Sequence, residues 1–195
     1  MGRIYYLLGK SATGKDTLYK EILKRRPKLR TVTMYTTRPI REGETDGVEY
    51  FFVDQERFDE MMDEEKIIEF RSYNTKCGIW TYFTADDGQV DLGRSDYLGI
   101  GTLDSFVKMK KYYGEDAVCP VYIQVEDGER LSRALKRERE QANPKYEEMC
   151  RRFIADQSDF SEENILRAGI WKRFQNIDLE TCVQEIVNYV KSMQQ

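Results

Sequence analysis

Histidine is absent from the chain. That removes the commonest general base and the commonest metal ligand, so any chemistry must run on charge and positioning. The four cysteines, Cys77, Cys119, Cys150 and Cys182, lie more than thirty residues apart with no Cys-x-x-Cys pair. Without histidine they cannot complete a zinc site unaided, and scattered free thiols in a reducing compartment are expected. No apolar run approaches the ~18 residues of a membrane span. The first such run, residues 4–8, is also too short for the core of a signal peptide. A basic excess is lacking as well: 31 Lys and Arg face 35 Asp and Glu, for a net charge of −4. There is thus no overall field drawing in nucleic acid. A cytoplasmic protein with neither membrane nor nucleic-acid partners is expected. At 195 residues, 40% hydrophobic and 34% charged, the chain suits one α/β domain with a sizeable core.

What is present begins with Gly9-Lys10-Ser11-Ala12-Thr13-Gly14-Lys15-Asp16-Thr17. An apolar run precedes it, and a helical pattern follows with Leu18, Ile22 and Leu23 on one face. Strand, glycine-rich turn and helix make a phosphate-binding loop, in which backbone N–H groups and the positive helix end surround an anion. Gly9 and Gly14 bracket the loop, and Lys15 is placed to reach the terminal phosphates of a nucleoside triphosphate. The motif departs from its usual form at one point. A Ser or Thr hydroxyl normally follows the lysine to meet Mg²⁺, and Asp16 stands there.

Further along, Pro27 ends the first helix and residues 29–36 read as one strand, rich in Thr and Val. Arg38 and Arg41 then flank a proline before a glycine turn and an aromatic strand closed by Asp54, a helix N-cap. Arginine forks bind phosphate bidentately, and Tyr50 can add a hydroxyl; a solvated charged hairpin is the competing reading. Residues 65–72 and 80–84 read as strands, with polar loops at 74–78 and 86–95. Tyr97–Gly101 is the next core strand, followed by a helix through Phe106, Met109 and Tyr113. The run 117–125 reads as a strand buried on both faces, although Pro120 favours an edge or a bulge. A basic helix over 129–140 carries Arg130, Arg133, Lys136, Arg137 and Arg139. A second helix starts with Asn143 as cap and Pro144 in its first turn, and carries Arg151 and Arg152. The last helix, 179–193, has Cys182, Val183, Ile186, Val187 and Val190 on one face as core.

The phosphate loop, then Thr36-Thr37-Arg38, Arg41, Gly43-Glu44, Gly47 and Tyr50-x-Phe52-Val53, resemble the guanylate kinase family at the family's spacing. The resemblance continues through Phe58, Ile67-Ile68-Glu69-Phe70 and Tyr82-x-Thr84, and runs more thinly to Asn176. It implies a P-loop NTPase three-layer α/β sandwich with a parallel core sheet. The core would span 1–32, 85–127 and 161–195, with an acceptor-binding insertion at 33–84 and a helical lid at 128–160. It implies an ATP- and Mg²⁺-dependent kinase of a nucleoside monophosphate, GMP first, working as a monomer or homodimer. Gly9, Ser11, Ala12, Thr13, Gly14, Lys15, Asp16 and Thr17 would bind ATP, with Asn176 near the adenine and Asp16 or Thr17 at the metal. Arg38, Arg41, Glu44, Tyr50 and Tyr82 would hold the acceptor's phosphate side. Glu69 and Thr84 would read its base. Arg137 and Arg152, with Lys15 and Arg38, would meet the charge developing on the transferred phosphoryl group.

The departures cluster on the acceptor and metal side. Met34 replaces a family serine, Phe83 replaces a glycine, and Gly99 and Gly101 stand where the family usually carries two aspartates. Two other readings therefore accompany the first. One is a kinase of another phosphorylated small molecule such as ribose 1,5-bisphosphate, whose enzyme also has a Gly-Lys-Asp loop. The other is a non-catalytic phosphopeptide-binding module, against which the intact Lys15 counts.

Overall fold

The computed structural model describes residues 1–75 and 78–194. Strand β1 (Ile4–Leu8) is buried at all five positions, as a strand covered on both faces must be. Ile4, Tyr6 and Leu8 pack with Phe106, Met109 and Ile165 on one side. Tyr5 and Leu7 pack with Leu18, Ile22, Ile186 and Val190 on the other. These two clusters are the interfaces of a helix–sheet–helix sandwich. One outer layer holds α1 (Lys15–Arg25) and α7 (Leu179–Ser192), and the other holds α3 (Leu103–Tyr113) and α6 (Glu162–Arg167). The sheet between them is parallel, in the order β2 (Arg30–Thr31), β7 (Tyr97–Gly101), β1, β8 (Val118–Gln124), β9 (Arg173–Gln175).

A second sheet orders β4 (Phe51–Phe52), β3 (Tyr35–Thr36), β6 (Gly78–Ala85) and β5 (Ile67–Thr75). It packs against α2 (Gln55–Asp63) through Phe58, Met61, Phe83 and Ala85. Asp54 caps α2, its carboxylate accepting from the Arg57 N–H at 2.9 Å. Between β8 and β9 lie the basic helix α4 (Asp127–Arg139) and α5 (Tyr146–Asp159). No helix among the described residues is long and apolar enough to cross a membrane.

Several sequence expectations need correction. The single strand over 29–36 is two strands in different sheets. Val32 still bonds to the core strand through Leu98 O, and the Gln89 side chain bonds both backbone groups of Thr33. The chain then leaves for β3. The loop over 74–78 is mostly hairpin, since Asn74 pairs with Ile79 and Thr75 with Gly78. Its remaining residues, Lys76 and Cys77, lie outside the described residues. Helix α5 begins at Tyr146, not at Asn143-Pro144. The buried Glu138 carboxylate takes the Lys145 N–H, and that bond closes the inter-helix turn. Helix α4 starts two residues earlier than expected, where the Glu126 side chain accepts from the Glu129 N–H at 2.9 Å. Pro120 lies in the inner strand β8, yet β9 covers only Tyr122–Gln124, so no partner is required beside it on that side. Of the described cysteines, Cys119 and Cys182 are buried, Cys150 is exposed, and all three are free.

Candidate active site

The loop between β1 and α1 needs its glycines for two separate reasons. Gly9 (φ 152°) and Gly14 (φ 86°) sit where side chains are strained. A Cβ at Gly9 would lie 2.5 Å from Ile123 O, and one at Gly14 would lie 2.6 Å from Asn176 Nδ2. Because Gly14 is the N-cap, no side chain covers the first N–H groups of α1. They remain free to take an anion. Lys15 folds back over the loop, its ammonium donating to Gly9 O at 2.7 Å and Lys10 O at 2.9 Å. Burial, with the positive charges of Arg130 and Arg137, lowers its pKa to about 8 against the raising influence of Asp16 and Asp156. Thr13 is buried and donates to Lys10 O. Ala12 takes a left-handed conformation at φ 61°. Asn176 is buried under the loop, donating from Nδ2 to Thr13 O at 2.7 Å. Asp16 and Thr17 are both exposed on the first turn of α1.

Ser11 is held by α4 and α5, an arrangement the sequence did not reveal. Its N–H donates to the Asp156 carboxylate at 2.7 Å, and its carbonyl accepts from Arg130 Nε at 3.0 Å. Arg130 is 1% exposed and also bonds Asp156 at 2.8 Å and Asp127. Lys10 bonds Gln157 of α5. The buried stripe of α4 is Arg130, Ala134 and Glu138, a four-residue spacing visible in the sequence, but its charges disguise it.

In the segment after β3, Arg38 is buried and grips Glu44 bidentately, with Nη1 2.8 Å from Oε2. That hydrogen bond, helped by the Arg41 N–H, holds Glu44 down at about 2. The Arg38 guanidinium also lies 5.3 Å from the Tyr50 ring centre and 5.2 Å from that of Phe52. Tyr50 meets Tyr82 edge-on at 5.6 Å. The Arg41 side chain is exposed. Glu69 accepts from the Thr84 hydroxyl at 2.9 Å, and burial pushes its carboxyl up. The structure therefore gathers Arg38, Glu44, Tyr50 and Tyr82 in one cluster and Glu69 with Thr84 in another. Arg137 is exposed, and its charge reaches Lys15; Arg152 is exposed and bonded to Glu148.

Gly99 and Gly101 have a physical explanation. A side chain at Gly101 would lie 2.2 Å from the Tyr6 hydroxyl, and one at Gly99 would lie 2.8 Å from the Tyr6 ring. Tyr6 is fully buried and donates to Ser105 Oγ at 2.9 Å. One tyrosine thus fills the room that two carboxylates would need.

A glycine loop leading from the central strand of a parallel sheet, with its lysine and an uncapped helix end, defines a P-loop nucleotide-binding protein. The guanylate kinase family model matches residues 1–191, and the chain belongs to the guanylate kinase family. A guanylate kinase of Parasynechococcus marenigrum is 28% identical over 173 residues, covering 86% of this chain and 82% of that protein. A guanylate kinase of Thermobifida fusca is 45% identical over 71 residues; the matched part is 36% of this chain and 36% of that relative's length. The crystal structure of guanylate kinase from Anaplasma phagocytophilum superposes with a TM-score of 0.63 at 19% identity. That match covers 99% of this chain and 87% of that one, and it establishes the shared fold.

Proposed function

We propose that the chain transfers the γ-phosphoryl group of ATP to GMP, giving ADP and GDP. The observation that carries this reading is the pairing of an uncapped phosphate loop with the Arg38–Glu44–Tyr50–Tyr82 cluster. Phosphoryl transfer asks a protein for alignment and charge neutralisation more than for covalent chemistry. The loop N–H groups and Lys15 hold the donor phosphates. Arg38, Arg41, Tyr50 and Tyr82 hold the acceptor's phosphate, while Glu44 fixes the plane of the Arg38 fork. Helices α4 and α5 act as a lid that brings Arg137 and Arg152 to the moving group and keeps water out. Mg²⁺ supplies charge neutralisation to the triphosphate. The exposed Asp16 carboxylate and Thr17 hydroxyl suit a hard ion that keeps much of its water and takes one or two protein oxygens.

The direct test is an ATP-consumption screen over GMP, dGMP, AMP, CMP, UMP and ribose 1,5-bisphosphate. GMP is expected to turn over fastest. Faster turnover of the bisphosphate would replace this reading with the sugar-phosphate kinase. No turnover at all, with tight binding of a phosphopeptide, would replace it with the non-catalytic phosphopeptide-binding module.

Arg38→Ala is expected to raise the acceptor KM on the order of ten- to a hundredfold, as loss of hydrogen bonds to a charged group should. It should lower kcat and leave ATP affinity within about threefold, since Arg38 sits with the acceptor cluster. Titrating each substrate separately decides it. A weakened ATP interaction with unchanged acceptor affinity would refute the assignment.

Asp16→Asn is expected to weaken the apparent Mg²⁺ affinity more than Thr17→Val does. It should leave metal-free nucleotide binding equal or tighter, because a carboxylate beside phosphates repels them. A Mg²⁺ dependence of turnover unchanged by Asp16→Asn would reduce Asp16 to a helix-end charge.

A further inference from the structure

Arg71 stands two residues after Glu69 on β5, so both side chains leave the same face of the strand. In register, Glu69 faces Thr84 and Arg71 faces Tyr82, which places Arg71 one step toward the phosphate cluster. Its guanidinium nevertheless turns back to the Glu69 end. Nη1 lies 3.3 Å from Glu69 Oε2 and 3.3 Å from Thr102 Oγ1, and Nη2 lies 3.4 Å from Met34 Sδ. The two oxygen contacts are long beside the ~2.8 Å of a charge-assisted bond, and the thioether is a weak acceptor. Among the described residues, a side chain only 17% exposed is thus held without one strong partner. Arg71 and Thr102 also line an open cavity of about 600 Å³ running along α3.

The pair presents a carboxylate oxygen and an N–H donor side by side, 3.3 Å apart. Guanine offers the complement, with O6 as an acceptor next to donors from N1–H and the 2-amino group. Adenine carries an amino donor where guanine has O6, so it would set donor against donor. Arginine to guanine O6 is among the commonest specific base contacts. Met34 cannot donate to O6, and here its sulfur lies against the guanidinium instead. We propose that Arg71 is a specificity-determining residue that donates to O6 of the acceptor base while Glu69 accepts from N1–H and the 2-amino group. This rests on GMP being the acceptor.

The test compares kcat/KM for GMP, for IMP, which keeps O6 without the 2-amino group, and for 2-aminopurine ribonucleoside monophosphate, which keeps the amino group without O6. Arg71→Met keeps the reach of the side chain and removes its donors. It is expected to lower GMP and IMP on the order of ten- to a hundredfold, as one lost base contact typically does. The 2-aminopurine substrate should change by less than about threefold. Arg71→Lys, which keeps one cationic donor, should recover part of the loss on the two O6 substrates. Glu69→Gln should give a different ratio, lowering GMP more than IMP, because only GMP presents a second donor that the lost carboxylate oxygen would have accepted. Substrate ratios within one variant do not depend on how much of it folds, and Arg71→Lys supplies the same ratio if Arg71→Met cannot be obtained. Equal loss on all three substrates would make Arg71 only a structural partner of Glu69 and overturn the proposal. If the unaltered enzyme ignores GMP, the acceptor reading and the proposal fall together. If it uses GMP and the ratios do not move, Arg71's role alone fails.

Discussion

Lys15→Ala is expected to lower kcat by roughly two to three orders of magnitude while the fold stays intact, the usual cost of removing one preorganised charge partner from a transition state. The ammonium is tethered to Gly9 O and Lys10 O, so it needs little reorganisation to meet phosphate. Its surroundings also set a pH dependence. Burial lowers this lysine from 10.5 to about 8. Below pH 8 it is charged both folded and unfolded, and the cost of burying the charge is fully present. Between about 8 and 10.5 the unfolded chain holds a proton that the folded chain has lost, so the stability of the nucleotide-free protein should rise across that window. ATP affinity should move the other way, falling as pH passes 8, because a neutral amine cannot pair with phosphate. Lys15→Ala should lose both trends. Steady-state kinetics at pH 7 and thermal melts with ATP titrations from pH 7 to 10 measure all three effects. A variant retaining kcat within tenfold would remove Lys15 from the reaction.

The parts of this molecule that were legible from sequence are those specified by neighbours in the chain. The phosphate loop is contiguous, Asp54 caps α2 from three residues away, and the buried stripe of α7 repeats at helical spacing. β1 and β7 are runs whose burial shows in their composition. What stayed hidden is set by residues far apart. The 29–36 segment has strand propensity throughout, and only the competing pull of β7 and β6 divides it. Tyr6 looks like one more core aromatic until the closeness of Gly101 shows what it displaces. Arg71 looks like an outward strand residue until Thr102, thirty-one positions on, is placed beside it. The same holds for the charges of α4. Arg130 reads as one of five solvated or phosphate-facing cations, yet its partners are Ser11 and Asp156.

That buried pair carries the second large effect. Asp156→Ala is expected to destabilise the protein by about 3–5 kcal/mol, because it takes the more buried of the two carboxylates from the Arg130 guanidinium, leaving only Asp127, and strips the Ser11 N–H of its acceptor. For a chain of this size each kcal/mol shifts Tm by roughly 2–4 °C, so the melt should move by about 6–20 °C. The substitution also frees the Ser11 N–H and loosens the contact between α5 and the phosphate loop. The ATP KM should therefore rise more than the acceptor KM. Stability and positioning can be separated with the double variant Arg130→Met/Asp156→Leu. Phe153, 4.9 Å from the guanidinium, offers apolar surface for the new side chains, and replacing a buried ion pair by packed apolar groups often costs nothing. The double variant should thus regain most of the melting temperature while the ATP KM stays raised, since neither new side chain can bond Ser11. If the ATP KM returns with the stability, the pair only holds the helices together. If Asp156→Ala melts within a degree of the unaltered protein, Ser11 and Arg130 do not depend on that carboxylate.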